Sequence, residues 1–399
     1  MRKLTLTVCI VLLALASCAR LRPAPTPTPT PTPTRAPPTE TAVPPAATPL
    51  PPTATSVPPT PTPLPTEAAF PRRNYPAVIK ADFEPRPQDW IGKIPFLKEL
   101  GINTIIIHMA YLREWGEEHR LVYPPPLTGE YELVFPHPSG GPPSEEYLRE
   151  LIVTAREAGF AVLLGPLVGR IGDPSPIEQI DDWDRFKEDS IEIAIQWAAI
   201  AEELQVEYFM PFCELNAVLF AQEDTERPGE PRYTFDEAVA LIAEWDSKAL
   251  PQIRAVFSGK LISQIFSTYP GSLLQYPVAG YDIFGIALYP PHPDVIEEAR
   301  MWTRWVLDDA QVLAKREGVE WMIAETALDP MAFGGDEDAL ETQAEFFRMV
   351  TEEYLRTTTV PPVGFGTFLD LTIEGYDSLE GTPSEQVLRE FFARLDQTP

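Results

Sequence analysis

Trp90-Ile91-Gly92-Lys93-Ile94-Pro95-Phe96-Leu97-Lys98-Glu99-Leu100-Gly101-Ile102-Asn103-Thr104-Ile105-Ile106-Ile107-His108 reads as a helix, a glycine stop and an apolar strand. Gly101 closes the helix because glycine takes the left-handed backbone a helix end requires. Thr104–Ile107 shows no in–out alternation, so it fits a strand buried on both faces of a parallel sheet. The same grammar recurs along the chain. Strand-like runs are Ala77–Phe83, Thr104–His108, Ala161–Leu167, Glu207–Phe212, Leu261–Phe266, Ile283–Tyr289, Trp321–Glu325 and Gly364–Leu369. Between most of them lie helical segments: Trp90–Leu100, Ser144–Ala158, Phe186–Leu204, one opened by the capping box Thr234-Phe235-Asp236-Glu237, Asp294–Arg316 and Asp336–Leu355, with Ser384–Leu395 closing the chain. Eight strands alternating with helices predict an α/β fold of the (β/α)8 TIM-barrel type over residues 71–399. A doubly wound open sheet is the alternative, and Ser267–Tyr281, which shows turns and no helix, is the weakest link.

The first 70 residues have a different composition. Arg2 and Lys3 precede an apolar stretch, Leu4–Ala16, too short to span a bilayer but of signal-peptide length. It ends in Leu15-Ala16-Ser17-Cys18, which resembles the lipobox of bacterial lipoproteins. That resemblance implies a signal peptide over residues 1–17, lipidation at Cys18 and an exported, membrane-anchored chain with an extracytoplasmic domain. Residues 18–70 then form a lipidated N-terminus and linker. Within it, residues 21–66 hold 18 prolines among 46 residues, many as Pro-Thr pairs. Such a disordered linker favours extended polyproline II and would reach roughly 140 Å at ~3.1 Å per residue. Cys9 and Cys18 fall in this region, so Cys213 alone is left for the domain and no intrachain disulfide is expected.

The net charge is −28, and residues 1–70 carry five basic and two acidic side chains, which leaves the domain near −31. Such a balance argues against nucleic acid and polyanionic substrates as partners. No glycine-rich fingerprint, P-loop or nucleophile elbow is present, so no cofactor is expected. The histidines at 108, 119, 137 and 292 are dispersed, so no metal is expected either. The domain is expected to be a monomer.

In a β/α barrel, chemistry sits at the C-terminal ends of the strands. Two apolar runs end in glutamate: Tyr208-Phe209-Met210-Pro211-Phe212-Cys213-Glu214-Leu215-Asn216 and Trp321-Met322-Ile323-Ala324-Glu325-Thr326. A carboxylate leaving an apolar strand is costly unless it is paired or faces a polar cleft. Two at one rim make a candidate acid/base pair. Their placement at the ends of strands four and seven resembles glycoside hydrolase clan A, the retaining (β/α)8 glycosidases, and within it the endo-β-mannanase-like family 113. The resemblance implies Glu214 as acid/base and Glu325 as nucleophile, in a retaining β-glycoside hydrolase acting on a neutral poly- or oligosaccharide.

The chain departs from the clan at two positions. Cys213 stands where the clan usually has an asparagine that binds a sugar hydroxyl, and Asn216 is a candidate to supply that contact instead. Phe368 stands where many members have tryptophan. Tyr289 resembles a tyrosine that often hydrogen-bonds the nucleophile. Further substrate-binding candidates are His108, Asp82, Arg170, Asp370, Trp115 and Phe368, with Tyr111 and Phe220 as other rim aromatics for stacking on a sugar face. Two rival functions share these features: a sugar-binding surface lipoprotein without catalysis, and a transglycosylase using the same glutamates.

Overall fold

The computed structural model describes residues 76–77, 87–113, 121–122, 145–168, 180, 182–222, 224, 227, 230–267, 269–328, 337–367 and 379–396. The signal segment, Cys18 and the proline-rich linker lie outside the described residues. Seven parallel strands follow one another as β1 (Pro76–Ala77), β2 (Thr104–Arg113), β3 (Ala161–Val168), β4 (Tyr208–Phe209), β5 (Lys260–Phe266), β6 (Ile283–Ala287) and β7 (Glu320–Glu325). Each is paired with the next, and Ile323 of β7 forms a parallel bridge to Phe365 in the eighth predicted strand. A two-residue strand, Leu121–Val122, returns antiparallel on the end of β2. The order is sequential. A doubly wound sheet would reverse its strand order at a switch point, so that alternative is set aside.

Helices fill the crossovers: α1 (Pro87–Leu100), α2 (Glu145–Glu157), α3 (Trp183–Glu203), the short α4 (Leu215–Phe220), α5 (Phe235–Arg254), α6 (Ile296–Glu317), α7 (Glu337–Arg356) and α8 (Pro383–Asp396). Their starts follow local chemistry. Asp182 accepts from the Arg185 N–H at 3.1 Å to open α3. Thr234 and Glu237 form the reciprocal capping box at α5. At Gly101 φ is 100°, and an added Cβ would sit 3.0 Å from Phe392 of α8, so the helix stop is also a close packing point. After β5 the crossover holds only the 3-10 turn Leu273–Gln275, as the turn-rich sequence there predicts.

Side chains on each strand alternate between two apolar shells. Ile105, Ile107, Val162, Leu164, Phe209, Leu261, Trp321 and Ile323 pack outward with Leu97, Ile152, Trp197, Trp245 and Phe346 of the helices. Ile106, Leu163, Tyr208, Met210, Ile262, Met322 and Ala324 form a second, inner cluster. A period of two along strands with both faces buried is why these runs read as continuous hydrophobicity. The inner shell also contains Cys213, and it leads up to the ends of β4, β5 and β7.

Candidate active site

Two local irregularities aim the glutamates. Along β7, Trp321 and Ile323 face the helices while Met322 and Ala324 face inward. Strict alternation would point Glu325 at the helices. The register against β6 shifts at this point, with Ile286 opposite Ile323 but Ala287 opposite Glu325. This extra residue turns Glu325 inward, the re-aiming that bulges provide near active sites. Glu214 is aimed by its backbone instead. It adopts φ 54° and ψ 46°, the left-handed region, at the junction between β4 and α4.

The two carboxylates meet at one side chain. The Nε2 of Gln264, on β5, donates to Glu325 Oε2 at 3.1 Å and to Glu214 Oε1 at 3.3 Å, with Cys213 Sγ at 3.5 Å. Cys213 and Gln264 are register partners in an isolated parallel bridge, which fixes this meeting point. Tyr289 donates its hydroxyl to Glu325 Oε1 at 2.5 Å. Burial of that hydroxyl, and then the charge of Glu325, hold the Tyr289 phenol well above its ordinary range, so it stays a donor. Glu325 is buried, 8 % exposed, whereas Glu214 is partly exposed. A buried carboxylate accepting from a phenol and an amide has the satisfaction an ionised group needs. The frame around it is tied by Thr326 Oγ1 donating to Leu288 O at 2.9 Å and Ser267 Oγ donating to Ala287 O at 2.9 Å.

Of the residues singled out in the sequence, Glu214, Glu325 and Tyr289 therefore come together, along with Cys213. Asn216 has another use. Its Nδ2 donates to Phe266 O at 2.7 Å and to the Tyr276 hydroxyl at 3.1 Å, while its Oδ1 accepts from Phe266 N–H at 3.1 Å. Both amide hydrogens and the carbonyl are taken, and the residue is 2 % exposed. The expectation that Asn216 replaces the missing sugar-binding asparagine is thus corrected: it clamps the end of β5. Phe220 is likewise engaged, with its ring stacked on Phe235 at 5.7 Å. His108 is a residue of β2 opposite Gly165, and Tyr111 lies further along the same strand; their side chains are outside what is described. Asp82, Trp115, Arg170, Phe368 and Asp370 lie outside the described residues.

Gln264 is the residue at this meeting point that the sequence reading missed. Its signal was a lone buried amide inside the apolar run Leu261–Phe266. Phe266 adds a second feature by stacking on Tyr289, with centroids 6.2 Å apart.

Among the described residues no group of three or more His, Cys, Asp or Glu could hold a metal ion. No helix there is long and apolar enough to cross a membrane.

No protein-family model matches the chain, and no curated protein matches it. Solved structures do. A GH113 β-1,4-mannanase aligns with 81 % of this chain and 99 % of its own at 16 % identity, TM-score 0.53. The GH113 β-mannanase AaManA from Alicyclobacillus acidocaldarius, in complex with ManMIm, aligns with 80 % of this chain and 97 % of its own at 14 % identity, TM-score 0.57. A GH5 xyloglucanase from Bacteroides ovatus, in complex with a heptasaccharide, aligns with 81 % and 75 % at 11 % identity, TM-score 0.56. The chain therefore has the fold of GH113 and GH5 glycoside hydrolases.

Proposed function

We propose that the chain is a surface-tethered retaining β-glycoside hydrolase acting on a neutral poly- or oligosaccharide. One observation carries the reading: Glu214 and Glu325, at the ends of β4 and β7, share the Gln264 amide, and Tyr289 secures Glu325. Their nearest oxygens lie no further apart than the sum of those two amide contacts, 3.3 Å and 3.1 Å. That limit accommodates the close spacing of retaining pairs, about 5–5.5 Å. The roles follow from environment. Glu325, buried and held by two donors, suits an ionised nucleophile. Glu214, partly exposed, suits a group that gives and takes a proton.

In the first displacement a Glu325 oxygen attacks the anomeric carbon. The bond to the leaving oxygen breaks, and that oxygen takes the Glu214 proton. In the second, water attacks the same carbon and gives a proton to Glu214, and the Glu325–carbon bond breaks. Both carboxyl groups return to their starting states. The fold shared with mannanases and a xyloglucanase supports neutral β-linked glycans as substrates, with β-1,4-mannan first on a test panel. The resemblance of Leu15–Cys18 to a lipobox supports anchoring through acyl chains at Cys18.

The test is turnover of neutral β-glycans and aryl β-glycosides, with the anomeric form of the first product read by NMR. Retained configuration is expected. Glu214→Ala and Glu325→Ala should each lower kcat by roughly 10²–10⁴-fold without loss of fold. An inverted first product would refute double displacement. Saturable binding of glycan with no turnover would favour a sugar-binding protein, and transfer to sugar acceptors in preference to water a transglycosylase.

A further inference from the structure

Gln264 has an unusual balance of hydrogen-bond donors and acceptors. Its NH2 group carries two hydrogens. Three acceptors face it: Glu325 at 3.1 Å, Glu214 at 3.3 Å and the weak acceptor Cys213 Sγ at 3.5 Å. The other half of the amide is different. Its Oε1 is buried and has no hydrogen-bond partner among the described residues, although the side chain is only 4 % exposed. Asn216, packed beside the same strand, shows the contrast, since its carbonyl and NH2 are both held by protein groups. A glutamine retained only to hold the fold would be expected to satisfy its carbonyl too. Here the amide is held from one side only, by the two carboxylates and the thiol, and it can pivot about its last torsion between them.

The two carboxylates exchange charge during the reaction proposed above. Before the first displacement Glu325 is negative and Glu214 carries the proton. In the glycosyl-enzyme Glu325 is a neutral ester and Glu214 is the anion. We propose that Gln264 is a positioning residue whose single NH2 group follows this charge, favouring Glu325 before the first displacement and Glu214 once Glu325 is esterified. This rests on the glycosidase reading and extends it. One donor thereby assists the attacking carboxylate in the first step and the general base in the second. A thiol is a weak acceptor, so Cys213 at 3.5 Å does not hold the NH2 group against the pull of either carboxylate. The titratable groups around the amide, among the described residues, are Cys213 and Glu214 at the end of β4, Tyr289 after β6 and Glu325 on β7. Asp246 of α5, Tyr276 and Tyr281 line the cavity behind β5 that Gln264 also borders.

The experiment compares wild type with Gln264→Met, which keeps the volume and removes the donor. Gln264→Asn, which keeps a shortened amide, is the second variant. Two readouts respond to charge-following and not to packing. The first is the pH profile of kcat/KM. Loss of a donor disfavours the ionised nucleophile, so the acid limb should move up by roughly one pH unit in Gln264→Met. The second is pre-steady-state turnover of an aryl glycoside with a good leaving group, where the first step needs little help from Glu214. The glycosyl-enzyme should accumulate as a burst, with kcat down roughly tenfold or more and kcat/KM falling less. Gln264→Asn should shift both readouts in the same direction by a smaller amount, and it alone decides if Gln264→Met does not fold. A folded variant with its acid limb and burst amplitude at the wild-type values would overturn the proposal. An inactive wild type, or full activity in Glu214→Ala or Glu325→Ala, would instead remove the glycosidase reading and this proposal with it.

Discussion

Glu214 is held in a conformation that its neighbours in sequence do not require. Among the described residues the other non-glycine positions with positive φ are Gln205 and His292. Gln205 directly follows the C-terminal end of α3, a place where left-handed residues are common. Glu214 instead precedes α4, where an extended residue with a capping side chain is the norm. Its side chain makes no capping bond. The backbone energy is therefore invested in direction: the left-handed turn brings the carboxylate back to Gln264 instead of onto α4. An L-residue in this region costs about 1–2 kcal/mol, which glycine escapes. Glycine normally gives back about 0.5–1 kcal/mol through its looser unfolded state. Glu214→Gly should thus be at least as stable as Glu214→Ala, whatever activity either variant keeps. Calorimetric melting of the two variants checks this, and a clearly lower Tm for the glycine variant would show that no strain is stored at this position.

At the scale of elements, the strands and helices were legible in the sequence and their exceptions were not. Six of the predicted strand runs, from Thr104–His108 to Trp321–Glu325, recur in chain order, because burial on both faces leaves a run of apolar residues that needs no partner to be recognised; of the first run, Ala77–Phe83, only Ala77 is among the described residues. The glutamates at the ends of β4 and β7 were visible for the same reason, as charges breaking such runs. The bulge that turns Glu325 inward was not visible, since it arises from a register shift against β6 and leaves no mark on Ile323-Ala324-Glu325. Gln264 gains its meaning only from pairing opposite Cys213, a contact 51 positions away in sequence. Asn216 misled because spacing to Glu214 says nothing about whether an amide is already occupied. Asp246 on α5 was hidden in the same way. It is buried against Tyr281, whose hydroxyl donates to it at 2.6 Å, and burial pushes its carboxyl up to about 7. An acid whose folded pKa lies above its unfolded value, about 3.9, makes the fold bind the extra proton. Stability from this group is therefore full below pH ~4 and lost as pH rises through about 7. Asp246→Asn keeps an acceptor for Tyr281 without the charge. Its Tm should exceed that of wild type at pH 8, and the gap should narrow at pH 5. A gap independent of pH would mean that Asp246 is not protonated in the fold.

At the scale of the whole molecule, the tether and the domain ask for separate measurements. The net charge of the domain, near −31, argues against polyanionic substrates, while the sequence before it resembles a lipoprotein leader followed by a long run rich in proline and threonine. Under the proposed anchoring, Cys18 adds no chemistry. On that proposal it would confine the site to a shell around the envelope, whose radius follows from the roughly 140 Å that the sequence of residues 21–66 leads one to expect at ~3.1 Å per residue. Small diffusible substrates should be indifferent to that confinement, and bulky polymer next to the cell should not be. Cys18→Ser, expressed in a bacterium that processes lipoproteins, should move the protein from the detergent-extractable membrane fraction to the soluble one. Its kcat/KM on an aryl β-glycoside should equal that of the detergent-solubilised wild type, because Glu214, Gln264, Tyr289 and Glu325 all belong to the β/α domain. Cells bearing the anchored form should release reducing sugar from suspended polymer faster, at equal enzyme, than cells secreting the serine variant. Membrane association that survives Cys18→Ser would move the anchor elsewhere in the chain.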